Sequence, residues 1–136
     1  MHITIKANPE DFKVEEIAQL PLVSRGSFNV YRLEKRGWNT IDALREISRN
    51  HNIPSKFISY GGKKDRHAHT VQFIAIEGPR IKDIHSEHLK LTFHGTMERP
   101  MGPDLIEGNR FEIAVRQLSD PKTVVALNRA EKVKQE

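Results

Sequence analysis

Residues 57–60 and 70–76 are two apolar, strand-like runs, and between them lies a stretch that can continue neither as strand nor as helix: Gly61-Gly62-Lys63-Lys64-Asp65-Arg66-His67. The paired glycines let the backbone turn sharply, and the flanking runs need neighbours that cover their apolar side chains. A chain built this way is committed to a sheet with a charged loop at one end. Within that loop Asp65 sits between Lys64 and Arg66, so its carboxylate is held ionised by adjacent cations. A reactive carboxylate on a loop between two strands is held by the scaffold yet open to substrate. The same composition also describes a solvated turn, and the rest of the chain has to decide between the two.

Taken in order, residues 2–6 alternate as a short strand and Asn8-Pro9-Glu10-Asp11 reads as a turn. Phe12, Val14 and Glu16 alternate with Lys13 and Glu15 as a second strand, and residues 21–27 form a loop. Residues 28–33 make a third strand, with Phe28, Val30 and Arg32 on one face and Asn29, Tyr31 and Leu33 on the other. Neither face is purely polar, which predicts that both are covered. Asn39 or Thr40 caps a helix in which Ile41, Leu44 and Ile47 recur at helical spacing beside Ala43. Pro54 ends it near residues 50–52. Trp38, beside that helix, reads as a core residue more readily than as a stacking platform for a base. Leu89, Leu91 and Phe93 alternate in a further strand, residues 97–107 read as a loop, and Gly108-Asn109-Arg110-Phe111 opens another strand. Ser119 is expected to cap a closing helix, with Asp120 and Pro121 in its first turn and Val124, Leu127 and Ala130 as its apolar stripe. The result is an α+β chain with a mixed, mostly antiparallel sheet and helices on one face.

Composition narrows the chemistry. A chain of 136 residues is long enough for one proper core, and it contains no cysteine, which removes disulfides, thiolate metal sites and cysteine nucleophiles together. His67, His69, His85, His88 and His94 do not fall at the spacing of a metal cage, so no metal is expected. No apolar run approaches a membrane span, and residues 1–9 lack the order of a signal peptide; a cytoplasmic protein is expected. Net charge is +4, but residues 21–72 hold ten basic and four acidic side chains, so the excess leads into the Asp65 loop. That placement suits a surface facing phosphate.

Four blocks, read together, carry a resemblance: Lys6-Ala7-Asn8-Pro9-Glu10-Asp11-Phe12, Lys35-Arg36-Gly37-Trp38-Asn39-Thr40, Gly62-Lys63-Lys64-Asp65-Arg66-His67-Ala68 with Thr70 and Gln72, and Gly108-Asn109-Arg110-Phe111. In this order, over nearly the whole chain, they resemble the TruD family of tRNA pseudouridine synthases. The resemblance implies an enzyme that isomerises uridine to pseudouridine in tRNA, typically at position thirteen, with no cofactor. It places Asp65 on the catalytic aspartate, Lys6 on the lysine of the first block, Lys64 in the catalytic motif, and Asn109 and Phe111 on the uracil pocket. Lys63, Arg66 and His67 are then expected against the RNA backbone. The chemistry of these residue types agrees. An ionised aspartate can act as nucleophile at the anomeric carbon or as base at its neighbour, and an aromatic face with an amide can hold an unstacked base.

The resemblance also implies something absent. TruD proteins run to well over twice this length and carry, further downstream, blocks that complete the cleft and an inserted domain. The expectation is therefore that these residues form the N-terminal part of a catalytic domain, that the downstream half is their partner, and that the chain by itself is inactive. A non-catalytic RNA-binding module derived from the same scaffold is the alternative. Smaller departures are Gly61, where the family often has alanine, and His69, where it often has a small apolar residue.

Overall fold

The computed structural model describes residues 12–64, 69–117 and 120–128, with side chains as far as residue 112. Its elements are β1 (Phe12–Ala18), β2 (Phe28–Arg36), α1 (Thr40–His51), β3 (Ile58–Tyr60), β4 (His69–Glu77), β5 (Ile84–His85), β6 (Leu89–Met97), β7 (Ile106–Gln117) and β8 (Asp120–Asn128). The strands form one mixed sheet in the order β5-β6-β2-β4-β1-β7-β8, with β3 paired to β4 beside that path. All pairings are antiparallel except β1 with β4. The α+β class and the predominantly antiparallel sheet expected from the sequence are what the structure has. The expected strand at residues 2–6 and the turn at residues 8–11 lie outside the described residues.

α1 begins where the sequence says it should. Asn39 is the N-cap, its Oδ1 accepting the Asp42 N–H at 2.8 Å, and Asn52 closes the helix in the left-handed conformation two residues before Pro54. The buried stripe is Thr40, Ala43, Leu44 and Ile47, while Ile41, counted as core by its spacing, is exposed. Thr40 takes the inward position because its hydroxyl finds polar partners there.

α1 packs on one face of the sheet, where Tyr31, Leu33, Ile74, Ile76 and Leu91 join Ala43, Leu44, Ile47 and Ile58, with Trp38 packed against them. On the opposite face Val30, Ala75, Met97, Met101 and Ile106 form a second cluster under residues 98–105. Both faces of β2 are therefore covered, as its mixed alternation required. Each large aliphatic side chain so buried contributes about 1.5–3 kcal/mol.

One expectation is overturned. Residues 120–128 are a strand, not a helix: β8 pairs with β7 from Asn109↔Asn128 to Gln117↔Asp120 as a long antiparallel hairpin. Asp120 and Pro121 begin a strand, and Val124 and Leu127 lie within it. Ser119 and Ala130 are outside the described residues. Thr123, Val124 and Val125 are β-branched, and a partner strand of matching length offers them pairing and packing that outweigh an approximate three-residue apolar spacing.

Candidate active site

β4 is the strand on which the site is built. β2 runs along one of its edges from His69 to Glu77. The other edge is shared: β1 pairs in parallel with residues 69–71, and β3 pairs antiparallel with residues 74–76. Between these two partners the edge is open, and there the chain leaving β3 at Tyr60 enters the Gly61-Gly62 loop.

Polar side chains fill the opening. Gln72, fully buried, donates from Nε2 to the Gly62 carbonyl at 2.9 Å and accepts at Oε1 from the Thr40 hydroxyl at 2.9 Å. The same Thr40 oxygen accepts the Lys64 N–H at 2.7 Å. Lys35, also buried, donates from Nζ to the Trp38 carbonyl at 2.8 Å and to the Lys64 carbonyl at 3.4 Å. The loop is thus tied to the first residue of α1, to the end of β2 and to β4 before it reaches Asp65.

Glu16 completes the set. Its Oε1 accepts the Phe73 N–H at 3.1 Å, the β4 donor left between β1 and β3, and its Oε2 lies 3.2 Å from Lys64 Nζ. The Glu16 side chain is wholly buried and that of Lys64 is 11% exposed. Burial pushes the Glu16 carboxyl above the ordinary carboxylate value; the Lys64 charge and the Phe73 N–H offset this in part. Removing one partner of such a buried pair leaves an uncompensated charge and costs about 3–5 kcal/mol. The signal in the sequence was a carboxylate in the apolar phase of β1, in step with Phe12 and Val14.

In front of this layer lies an open cleft of about 690 Å³, walled by Val14, by the run from Tyr60 to Lys64, and by Pro103, Ile106, Asn109 and Phe111. β7 reaches it because it pairs with β1 in a register that sets Phe111 opposite Val14 and Asn109 opposite Glu16. Strict alternation would turn Ile106 away from Asn109 and Phe111. The register shift between Ile17 and Ala18 leaves Glu107 as an extra residue, and this bulge brings all three to the same cleft. Among the described residues, the buried Oδ1 of Asn109 has no hydrogen-bond partner.

Of the residues singled out in the sequence, the structure brings Lys63, Lys64, Asn109 and Phe111 to one cleft. Lys6, Asp65, Arg66 and His67 lie outside the described residues. The basic segment is less free than its charge suggests. Arg32, Arg45, Arg49 and Lys64 each pair with a carboxylate, Lys35 is buried, and Lys63 is exposed at the loop. His69, nearly buried, pairs with Glu34 at 2.5 Å. Burial, with the Arg36 and Lys13 charges, holds its imidazole below the usual value against the pull of Glu34. Among the described residues no cluster of His, Asp or Glu could hold a metal ion, and no helix is long and apolar enough to cross a membrane.

The same sheet is found in a crystal structure from Methanosarcina mazei assigned to tRNA pseudouridine synthase D, with a TM-score of 0.75, 32% identity and coverage of 82% of this chain and 27% of that one. The architecture is thus that of a pseudouridine synthase scaffold. The family model for tRNA pseudouridine synthase D (TruD) matches residues 1–136, and the chain belongs to that family. Relatives include tRNA pseudouridine synthase D of Leptospira interrogans, 37% identical over 95% of this chain, and that of Aquifex aeolicus, 38% identical over 85%. The chain spans about a third of the length of these curated relatives, 32% in each case.

Proposed function

We propose that these residues are the N-terminal part of a catalytic domain that isomerises uridine to pseudouridine in tRNA, at position thirteen, with Asp65 as the reacting carboxylate. The observation that carries this reading is the single cleft into which the loop before Asp65 and the Asn109–Phe111 segment of β7 converge from distant parts of the chain.

In the reaction the N1–C1′ glycosidic bond breaks and a C5–C1′ bond forms on the same ring. By one route Asp65 attacks C1′ and the bonding pair leaves on uracil N1. The ring turns, C5 attacks C1′ and expels the carboxylate, then C5 loses its proton and N1 gains one. By the other route Asp65 takes the proton from C2′ as uracil leaves with the bonding pair on N1, giving a glycal to which C5 adds as that proton is returned to C2′; C5 then loses its own proton and N1 gains one, as in the first route. Both routes need an ionised carboxylate beside a base taken out of its stack. The Phe111 ring supplies a face for that base, and the Asn109 oxygen is an acceptor suited to the imide N–H of uracil. Lys63, with Arg66 and His67, meets the RNA backbone, where cations position without reading sequence, and Lys6 is a substrate-binding residue of the same site. The remaining wall of the cleft belongs, in this reading, to the part of the relatives' length that the chain does not span.

That shortfall favours one other reading, an RNA-binding module without activity. The test uses a polypeptide of family length carrying this segment, assayed for pseudouridine in unmodified tRNA. Asp65→Asn abolishes conversion and leaves tRNA affinity intact; conversion that survives the substitution removes Asp65 from the mechanism. A longer protein that binds tRNA without converting it establishes the binding module.

A further inference from the structure

We infer that Glu16 is a positioning residue of this cleft: its carboxylate holds the Lys64 ammonium inside the sheet, so that Lys64 fixes the backbone entering Asp65 instead of contacting RNA phosphate. The inference rests on the proposed enzyme reading for its consequence, and on geometry for its substance.

A lysine beside the reacting carboxylate of an RNA enzyme is read at first as a phosphate contact. A phosphate contact requires a freely accessible ammonium, and the Lys64 side chain is largely buried. Its side chain is 11% exposed, and its Nζ lies close enough to Gly62 that a methyl group added there would stand 3.6 Å from it. The side chain therefore folds back over the loop towards Glu16. All three polar groups of Lys64 are engaged, each by a different element: the N–H by Thr40 at the start of α1, the carbonyl by Lys35 near the end of β2, and the ammonium by Glu16 of β1. A residue held at its backbone and at its tip has little freedom left, and the residue after it is Asp65.

Glu16 is suited to this task because it is itself immobilised. Its second oxygen takes the Phe73 N–H in the gap between β1 and β3 on the edge of β4. One carboxylate therefore seals the opening in the sheet and anchors the loop that crosses it. Asn109 stands opposite Glu16 in the β1–β7 register, so the anchor and the base-binding wall share one strand pair. A shift of the pair would move the carboxylate relative to the base, and small misplacements of reacting groups are costly.

Two measurements test this. Reductive methylation with formaldehyde and a borane reductant, followed residue by residue by mass spectrometry, reads ammonium accessibility without RNA. Lys64 reacts at least about tenfold more slowly than exposed Lys63, and Glu16→Gln raises Lys64 towards the Lys63 rate. Equal rates in the unsubstituted protein overturn the inference. In a family-length protein, Glu16→Gln lowers kcat at least about tenfold while KM and tRNA affinity stay within about twofold. Lys64→Gln leaves the slope of log affinity against log salt unchanged, whereas a lost phosphate contact reduces it by about one. An unchanged kcat in Glu16→Gln, or a reduced slope in Lys64→Gln, refutes it. If Glu16→Gln does not fold, the Lys64→Gln slope and the methylation of the unsubstituted protein decide. Failure of the enzyme reading appears separately, as conversion surviving Asp65→Asn, and leaves the methylation result untouched.

Discussion

Replacing Gln72 by methionine isolates the polar layer beneath the loop. Methionine matches glutamine closely in shape and flexibility, so the change removes two hydrogen bonds and leaves little cavity. The Thr40 hydroxyl, wholly buried, loses its acceptor at 2.9 Å, and the Gly62 carbonyl loses its donor at 2.9 Å. A buried group left unpaired costs about 1–3 kcal/mol, and the half-buried Gly62 carbonyl can recover some of its share from water, so the expected loss is about 2–4 kcal/mol. Thr40→Val, also close in shape, breaks the same Thr40–Gln72 bond and in addition strips the Lys64 N–H of its acceptor. The two substitutions share one interaction, so the double variant loses less than the sum of the singles by about 1–2 kcal/mol. Urea unfolding followed through Trp38, the chain's one tryptophan, reads all three variants. A loss in Gln72→Met under about 1 kcal/mol, or strict additivity, would show that the layer does not hold the loop as argued.

Gly61 should resist replacement by alanine for a local reason. A Cβ there would lie within 2.3 Å of the Ile106 Cδ1 atom and 3.2 Å of the Gly102 carbonyl, so Gly61→Ala costs about 1–3 kcal/mol. Ile106→Val, which removes the Cδ1 atom, should recover most of that loss when combined with it; no recovery would place the conflict elsewhere. A pH dependence follows from His69, whose folded-state pKa lies below the ordinary 6.5 because of burial. The unfolded chain then takes up the proton first, so the stability contributed by neutral His69 is complete above about 6.5 and is lost as pH falls below it. The urea midpoint should drop more steeply between neutral and mildly acidic pH in the unsubstituted protein than in His69→Gln, and parallel profiles would contradict the shift.

Much of this fold was legible because local signals and tertiary packing agreed. Asn39 is a cap, Pro54 follows a helix end, and the alternations in β1, β2, β4 and β6 match their strands, since period, capping and turn chemistry act over a few residues. They failed where a distant partner decides the outcome. Residues 120–128 carry an apolar spacing compatible with a helix, and the length of β7 beside them makes them a strand. Ile41 had the right spacing, yet Thr40 is the buried residue, because two polar neighbours make its hydroxyl welcome inside.

The sequence by itself determined that the Gly61-Gly62 stretch with its lysines follows one strand and precedes another, and the four blocks read together determined the family. The tertiary structure alone decided what surrounds that loop. Glu107 as a bulge swings Ile106, Asn109 and Phe111 to one cleft, and an opening on the edge of β4 draws Glu16 in to neutralise Lys64. Both depend on strand register, which joins residues tens of positions apart and leaves no periodic trace in the chain.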